Sequence, residues 1–171
     1  MADTKHEIRS IARYFRVENV KVNINSETKA PALHDNGTTL NGLSTILQYL
    51  AQRDASQEEY RSPEDKASIR QWLEYRVTEV DRCENEKDVY LILKELNAYL
   101  SNNTYFVGNC LTIADLCIYH GLHSIMSHLT YQEKEKYNHV SRWFHFIQCQ
   151  PQYKSDLPSI PFQSQSLYPA V

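Results

Sequence analysis

The sequence predicts a small α/β lobe followed by an all-α lobe, and three observations carry that prediction. Before residue 60 there is strand-like alternation in Val20-Lys21-Val22-Asn23-Ile24 and a hairpin signal in Asp35-Asn36-Gly37-Thr38. After residue 60 apolar residues recur at helical spacing, and only the short Tyr105-Phe106-Val107 reads as extended. In the middle of that second region, Gly108-Asn109-Cys110-Leu111-Thr112-Ile113-Ala114-Asp115-Leu116 spells out a helix start. Thr112 is placed to accept the third helical N–H. The Asp115 carboxylate reaches back to the Thr112 N–H at the positive end of the dipole, with Leu111 and Leu116 as an apolar staple.

Each element follows from its local pattern. Ile8, Ile11, Ala12 and Phe15 recur as one face of a first helix, and residues 20–24 follow as a half-buried strand. Lys29-Ala30-Pro31-Ala32-Leu33 reads as a strand entered through proline, with Thr39-Leu40 as its hairpin partner. Leu43, Ile46, Leu47 and Leu50 make the stripe of a second helix, which Asn41 is placed to cap. These elements form a lobe over residues 1–54. The polar, unpatterned run from Asp54 to Arg61 places a linker at residues 55–63. Ser62-Pro63-Glu64-Asp65 then opens a helical lobe over residues 64–157, with Ser62 as cap, Pro63 at the first helical position and acids in the first turn. Ile69, Trp72, Leu73, Val77 and Val80 form one stripe, and Val89, Ile92, Leu93, Leu96 and Leu100 the next. The helix opened by Thr112 is crowded with Leu116, Cys117, Ile118, Tyr119, Leu122, Ile125, Met126 and Leu129. Val140, Trp143, Phe144 and Ile147 mark the last helix, stopped near Gln150 by Pro151. The Ser- and Pro-bearing stretch 158–171 reads as a loosely ordered tail.

Composition narrows the function. A chain of 171 residues, 42% hydrophobic and 23% charged, can bury a sizeable core. No apolar run approaches the ~20 residues of a membrane span and the first residues hold no signal core, so the expectation is no membrane and a cytoplasmic, also nuclear, location. A net charge of −3 with both signs interspersed, as in Glu133-Lys134-Glu135-Lys136, disfavours direct nucleic-acid binding. Cys83, Cys110, Cys117 and Cys149 lack paired spacing and read as reduced thiols. His120, His123 and His128 fall near one helical face, but no acid or thiol completes a closed site, so no metal is expected.

The Thr112 to Asp115 box within this order of elements resembles the glutathione-transferase family. The resemblance implies a glutathione-transferase-like fold: a truncated thioredoxin-like α/β N-terminal lobe followed by an all-α C-terminal lobe. Lys29-Ala30-Pro31-Ala32-Leu33 is similar to the family's strand carrying a cis-proline, and Ile46-Leu47-Gln48-Tyr49-Leu50 to its Ile-x-x-Tyr-Leu helix. A glutathione enzyme needs a residue that stabilises the thiolate and an anion site for the γ-glutamyl carboxylate. The family supplies the first after its first strand, which this chain lacks; Tyr14, the nearest candidate, lies within the predicted first helix. The second maps onto Gly42 and Leu43, which offer no side-chain donor, while Ser44 is ~100° further round the helix and expected to face solvent. The expectation is a binding protein with no catalytic residue and no cofactor. The alternative is a divergent glutathione-dependent transferase using Tyr14 or a cysteine.

Gln71-Trp72-Leu73-Glu74-Tyr75-Arg76-Val77-Thr78, the run Leu129 to Tyr137, Val140-Ser141-Arg142-Trp143-Phe144 and the run Leu40 to Ile46 resemble the small scaffold subunits of the multi-aminoacyl-tRNA-synthetase complex. That resemblance implies an adaptor binding the glutathione-transferase-like domains of methionyl-tRNA synthetase and glutamyl-prolyl-tRNA synthetase, alongside other scaffold proteins of the complex. It also implies a nuclear role in DNA-damage signalling through checkpoint kinases and p53. Two faces are expected to serve these partners. The first comprises Ser44, Thr45, Gln48 and Tyr49 with Arg70, Gln71, Glu74 and Tyr75, where tyrosines amid polar neighbours suit a reversible interface. The competing reading buries Tyr49 and Tyr75 between the lobes. The second comprises Arg142, His145 and Phe146, where a planar guanidinium beside an outward Phe suits a stacked or carboxylate partner. Its competing reading is a solvent Arg with an acidic neighbour.

Overall fold

The first helix, α1 (Thr4–Tyr14), buries Ile8, Ile11 and Ala12, and Phe15 continues the same face just past its end. The computed structural model describes residues 4–17, 20–25, 30–35, 37–53, 62–83, 85–153 and 155–162. Strands β1 (Lys21–Ile24), β2 (Pro31–Asp35) and β3 (Thr38–Asn41) form one antiparallel sheet in that order. Val22 stands opposite Leu33 and Leu33 opposite Leu40, so these side chains share a face; Val22 and Leu33 are buried there. Helix α2 (Leu43–Arg53) adds Ile46, Leu47 and Leu50 to this core. The Asn36 and Lys29 of the sequence reading and the linker residues 54–61 lie outside the described residues.

Two expectations for this lobe are corrected. The Ala30–Pro31 bond is trans. Pro31 is the first residue of the central strand, where a missing N–H is tolerated, and its carbonyl accepts from the Gly42 N–H at 2.9 Å. Asn41 ends β3 instead of capping α2; Gly42, at φ +91°, makes the turn into the helix, and its carbonyl accepts the Ile46 N–H at 3.1 Å.

The helical lobe contains α3 (Pro63–Thr78), a 3₁₀ turn (Val80–Arg82), α4 (Glu86–Tyr99), α5 (Ile113–His128), α6 (Tyr131–Lys136) and α7 (Asn138–Gln148). The Ser62 cap forms, its hydroxyl accepting the Asp65 N–H at 3.1 Å. Of the 16 residues of α5, 11 are buried, which makes it the central helix against which α1, α2, α3 and α7 pack. Its capping box is closed: the Asp115 carboxylate accepts from the Thr112 N–H at 3.0 Å and the Thr112 hydroxyl takes the Ala114 N–H at 3.2 Å. The same buried carboxylate also accepts from the Thr112 hydroxyl, the Phe106 N–H at 2.9 Å and the Trp143 indole N–H at 3.1 Å. Burial pushes Asp115 above the usual carboxylate value and these four donors pull it back. Asp115 therefore joins α5, the loop before it and α7.

The looseness expected from residue 158 onward is not found at Pro158. Its carbonyl accepts from His123 Nε2 at 2.9 Å, and Gln148 grips Ile160 through both its amide N and O. Lys134 donates to the Pro161 carbonyl at 3.2 Å, while Ile160 is buried and the Phe162 ring packs on Phe144. An apolar Ile and Phe with bonded backbone overrule the Pro and Ser content that suggested disorder. Residues 163–171 lie outside the described residues.

Candidate functional site

A glutathione carboxylate would need donors at the start of α2, and the local geometry there serves other contacts. The Gly42 N–H is engaged by Pro31, and Leu43 packs against the core. Ser44 does not face solvent as expected. It turns toward α3, where its hydroxyl donates to Glu74 Oε1 at 2.7 Å and accepts from Gln48 Nε2 at 3.2 Å. The reason is that α2 packs on α3, so a position one residue past Leu43 falls in the groove between them. A carboxylate already bonded to that hydroxyl repels a second one. Tyr14 sits at the end of α1 with its ring edge-on to Phe15 at 5.1 Å and Tyr153 at 5.8 Å, packed as an ordinary aromatic contact.

On the first candidate face the structure brings Ser44, Gln48 and Glu74 into one hydrogen-bonded chain, beside the exposed Thr45, Arg70 and Gln71. Tyr49 is half-buried next to them. Its phenol donates to Asp35 Oδ2 at 2.8 Å, and Arg53 pairs with Asp35 at 3.4 Å while lying over the Tyr49 ring. Tyr75 does not join this group. It donates to Glu95 Oε2 of α4 at 3.0 Å and packs edge-on to Trp72, so burial and Glu95 push its pKa up. It lines a groove of about 740 Å³ between α3 and α4, with Glu79, Leu91 and Glu95 among the walls.

On the second face Arg142 is tied to backbone: Nη2 donates to the Leu100 carbonyl at 2.8 Å and reaches the Asn103 carbonyl at 3.5 Å. Its positive charge sits at the negative end of α4, a favourable placement that the acidic-neighbour reading missed. The His145 ring lies 5.5 Å from Phe162, and Phe146, 40% exposed, meets Tyr105 edge-on at 5.8 Å. All three side chains belong to the helical lobe.

The histidines diverge. His120 bonds the buried Tyr153 hydroxyl, His123 reaches Pro158, and His128 turns to the Ser124 carbonyl at 2.7 Å. Burial, then Arg76 and His123, lower the His120 pKa to about 3, so it is neutral at physiological pH. The structure also exposes a group that sequence reasoning missed. Arg76 and Glu7 are both buried at the junction of the lobes, and the Arg76 side chain lies against Gly121. The signals were present: Arg76 stands three residues from Leu73 on the apolar stripe, and Gly121 lies inside a helix rather than at its end, which marks a close approach.

Known proteins resemble this chain over most of its length. A family model described as nuclear-export cofactor Arc1p matches residues 65–151. Eukaryotic translation elongation factor 1 epsilon-1 of Mus musculus is 44% identical over 151 residues, and that of Homo sapiens 42% identical over 152, each match covering 86% of both chains. The bifunctional glutamate/proline–tRNA ligase of Mus musculus is 34% identical over 118 residues, or 66% of this chain and 7% of the ligase. Among solved structures, a sphingomonad glutathione S-transferase complexed with glutathione superposes with a TM-score of 0.71 at 17% identity, over 89% of this chain and 92% of the other. The glutathione S-transferase of Ascaris lumbricoides gives 0.69 at 17% identity, over 90% of each. The fold is glutathione-transferase-like; at such identities the likeness extends to nothing further.

Proposed function

This chain belongs to the family of eukaryotic translation elongation factor 1 epsilon-1, and we propose that it works in translation as a non-catalytic scaffold of the multi-aminoacyl-tRNA-synthetase complex. Its partners are the glutathione-transferase-like domains of methionyl-tRNA synthetase, on the face formed by α2 and α3, and of glutamyl-prolyl-tRNA synthetase, on the face formed by Arg142, His145 and Phe146. The observation that carries the reading is the 34% identity over 118 residues to a bifunctional tRNA ligase. Two modules of related sequence can pair as pseudo-symmetric halves, each offering the same helices. The occupied N–H of Gly42 and the Glu74 carboxylate bonded to Ser44 support binding over glutathione chemistry.

Co-purification from cell extract tests the proposal. Wild-type chain should retain methionyl-tRNA synthetase, Thr45→Arg should release it, and Arg142→Ala should retain it; loss of that partner on Arg142→Ala alone would reverse the assignment of faces. The work is placed in the cytoplasm. A further nuclear role, through checkpoint kinases and p53, extends the family resemblance and predicts that DNA damage moves the chain into the nucleus with a kinase bound.

The alternative is a divergent glutathione-dependent transferase using Tyr14 or a cysteine, to which the superposed glutathione transferases lend the fold alone. A divergent transferase would be retained on immobilised glutathione and would turn over a chlorodinitrobenzene-type substrate. The scaffold reading predicts neither.

A further inference from the structure

Arg76 belongs to α3, yet its side chain turns inward and meets three elements at once. Nε donates to the Cys117 carbonyl of α5 at 3.3 Å, Nη1 contacts Asp81 of the 3₁₀ turn, and Nη2 lies 3.8 Å from Glu7 Oε2 of α1. A Cβ on residue 121 would coincide with the guanidinium, so only glycine leaves the slot through which Arg76 reaches α1. Glu7 is 2% exposed, and among the described residues its Oε1 has no hydrogen-bond partner. Its 3.8 Å contact is too long for a hydrogen bond and acts through charge alone.

We propose that Glu7, buried beside Arg76, is a proton-sensitive latch between the two lobes: α1 docks firmly on the helical lobe while Glu7 is the neutral acid that the dry junction accepts, and loosens when Glu7 ionises. Charge bookkeeping supports this. One guanidinium faces two carboxyl groups, and Asp81, with 43% of its side chain exposed, makes the closer contact where water also stabilises its charge. A second carboxylate at Glu7 would leave a surplus negative charge in a dry pocket. The other ionisable groups near Glu7 are the buried Cys117 thiol of α5 and the Tyr153 hydroxyl from the C-terminal segment, both held neutral by burial. His120, next along α5, is likewise neutral. The buried residues of α2 and β1, Ile46, Leu47, Leu50 and Val22, carry no titratable group. Burial therefore outweighs Arg76 and pushes Glu7 up to about 7.

The sign follows from linkage. A folded-state pKa near 7, above the ordinary 4.5, means that the protonated Glu7 supports docking below that ordinary value, and that this support is lost as pH rises through 7. The latch stands on this geometry and is independent of the scaffold role.

Hydrogen exchange of the α1 amides tests it, measured on the full chain and on Glu7→Gln at each pH from 5 to 8 so that intrinsic exchange cancels in the ratio. The wild-type opening constant should rise relative to the variant by up to about tenfold per pH unit up to 7 and then level off. Amides of α7 should show a ratio near one throughout. A flat ratio in α1, or an equal rise in α7, would overturn the latch. Should Glu7→Gln fail to fold, a carbon-13 titration of the Glu7 carboxyl in wild-type chain decides the matter: a midpoint near 7 supports the latch, and one in the ordinary carboxylate range overturns it.

Discussion

The two candidate faces differ in what holds them. The α2–α3 face crosses the lobe boundary: Ser44 comes from the α/β lobe and Glu74 from the helical lobe, and they meet only because the lobes are docked. The face of Arg142, His145 and Phe146 lies within the helical lobe, where Arg142 is fastened to the end of α4 and Phe146 to Tyr105. The lesson is that one candidate surface depends on interlobe geometry and the other only on a folded helical lobe. The buried acids mirror this difference. Asp115, inside the helical lobe, accepts four hydrogen bonds, whereas among the described residues Glu7, at the junction, meets Arg76 in one long charge contact.

Asp115→Ala should erase the comparison altogether. It leaves the donors of Phe106, Thr112 and Trp143 without an acceptor, at a cost of about 3–5 kcal/mol in chemical denaturation, and both partners should be lost together. Gly121→Ala should split the faces. Its methyl displaces the Arg76 guanidinium and costs about 1–3 kcal/mol, with binding lost at α2–α3 and kept at the Arg142 face. Glu7→Gln sharpens the same split by pH. Between about pH 5 and 7, the free energy of undocking α1 should fall in the wild type against the variant by at most ~1.4 kcal/mol per pH unit, because docked Glu7 binds the proton more tightly than solvated Glu7. Arg142→Ala removes a bond to the Leu100 carbonyl and should cost only about 0.5–1 kcal/mol, weakening the second face while leaving the first unchanged.

Much of this architecture was legible in the sequence because it is written in local signals. The stripe Ile8, Ile11, Ala12 and Phe15, the Ser62 cap and the Thr112 to Asp115 box each follow from neighbours in the chain, and each appears in the structure as read. What escaped is non-local. Nothing near Ser44 announces that α3 will place Glu74 opposite it, and nothing near Pro158 announces that Gln148 will grip Ile160 twelve positions away. Tyr75 illustrates the limit on a helix face: periodicity set it beside Glu74, while the packing of α4 drew it to Glu95. Arg76 was missed for a different reason, since a lone cation on an apolar stripe is read as exposed until its buried acid, Glu7, is found 69 positions earlier.

Whether the α2–α3 face binds a glutathione-transferase-like domain of methionyl-tRNA synthetase, as proposed, is decided in solution. Isothermal titration of that purified domain into wild-type chain, Thr45→Arg and Arg142→Ala tests it directly. The expected result is a stoichiometric complex for the wild type and Arg142→Ala, and at least a tenfold weaker one for Thr45→Arg with its thermal stability unchanged. Equal affinity for wild type and Thr45→Arg would contradict it.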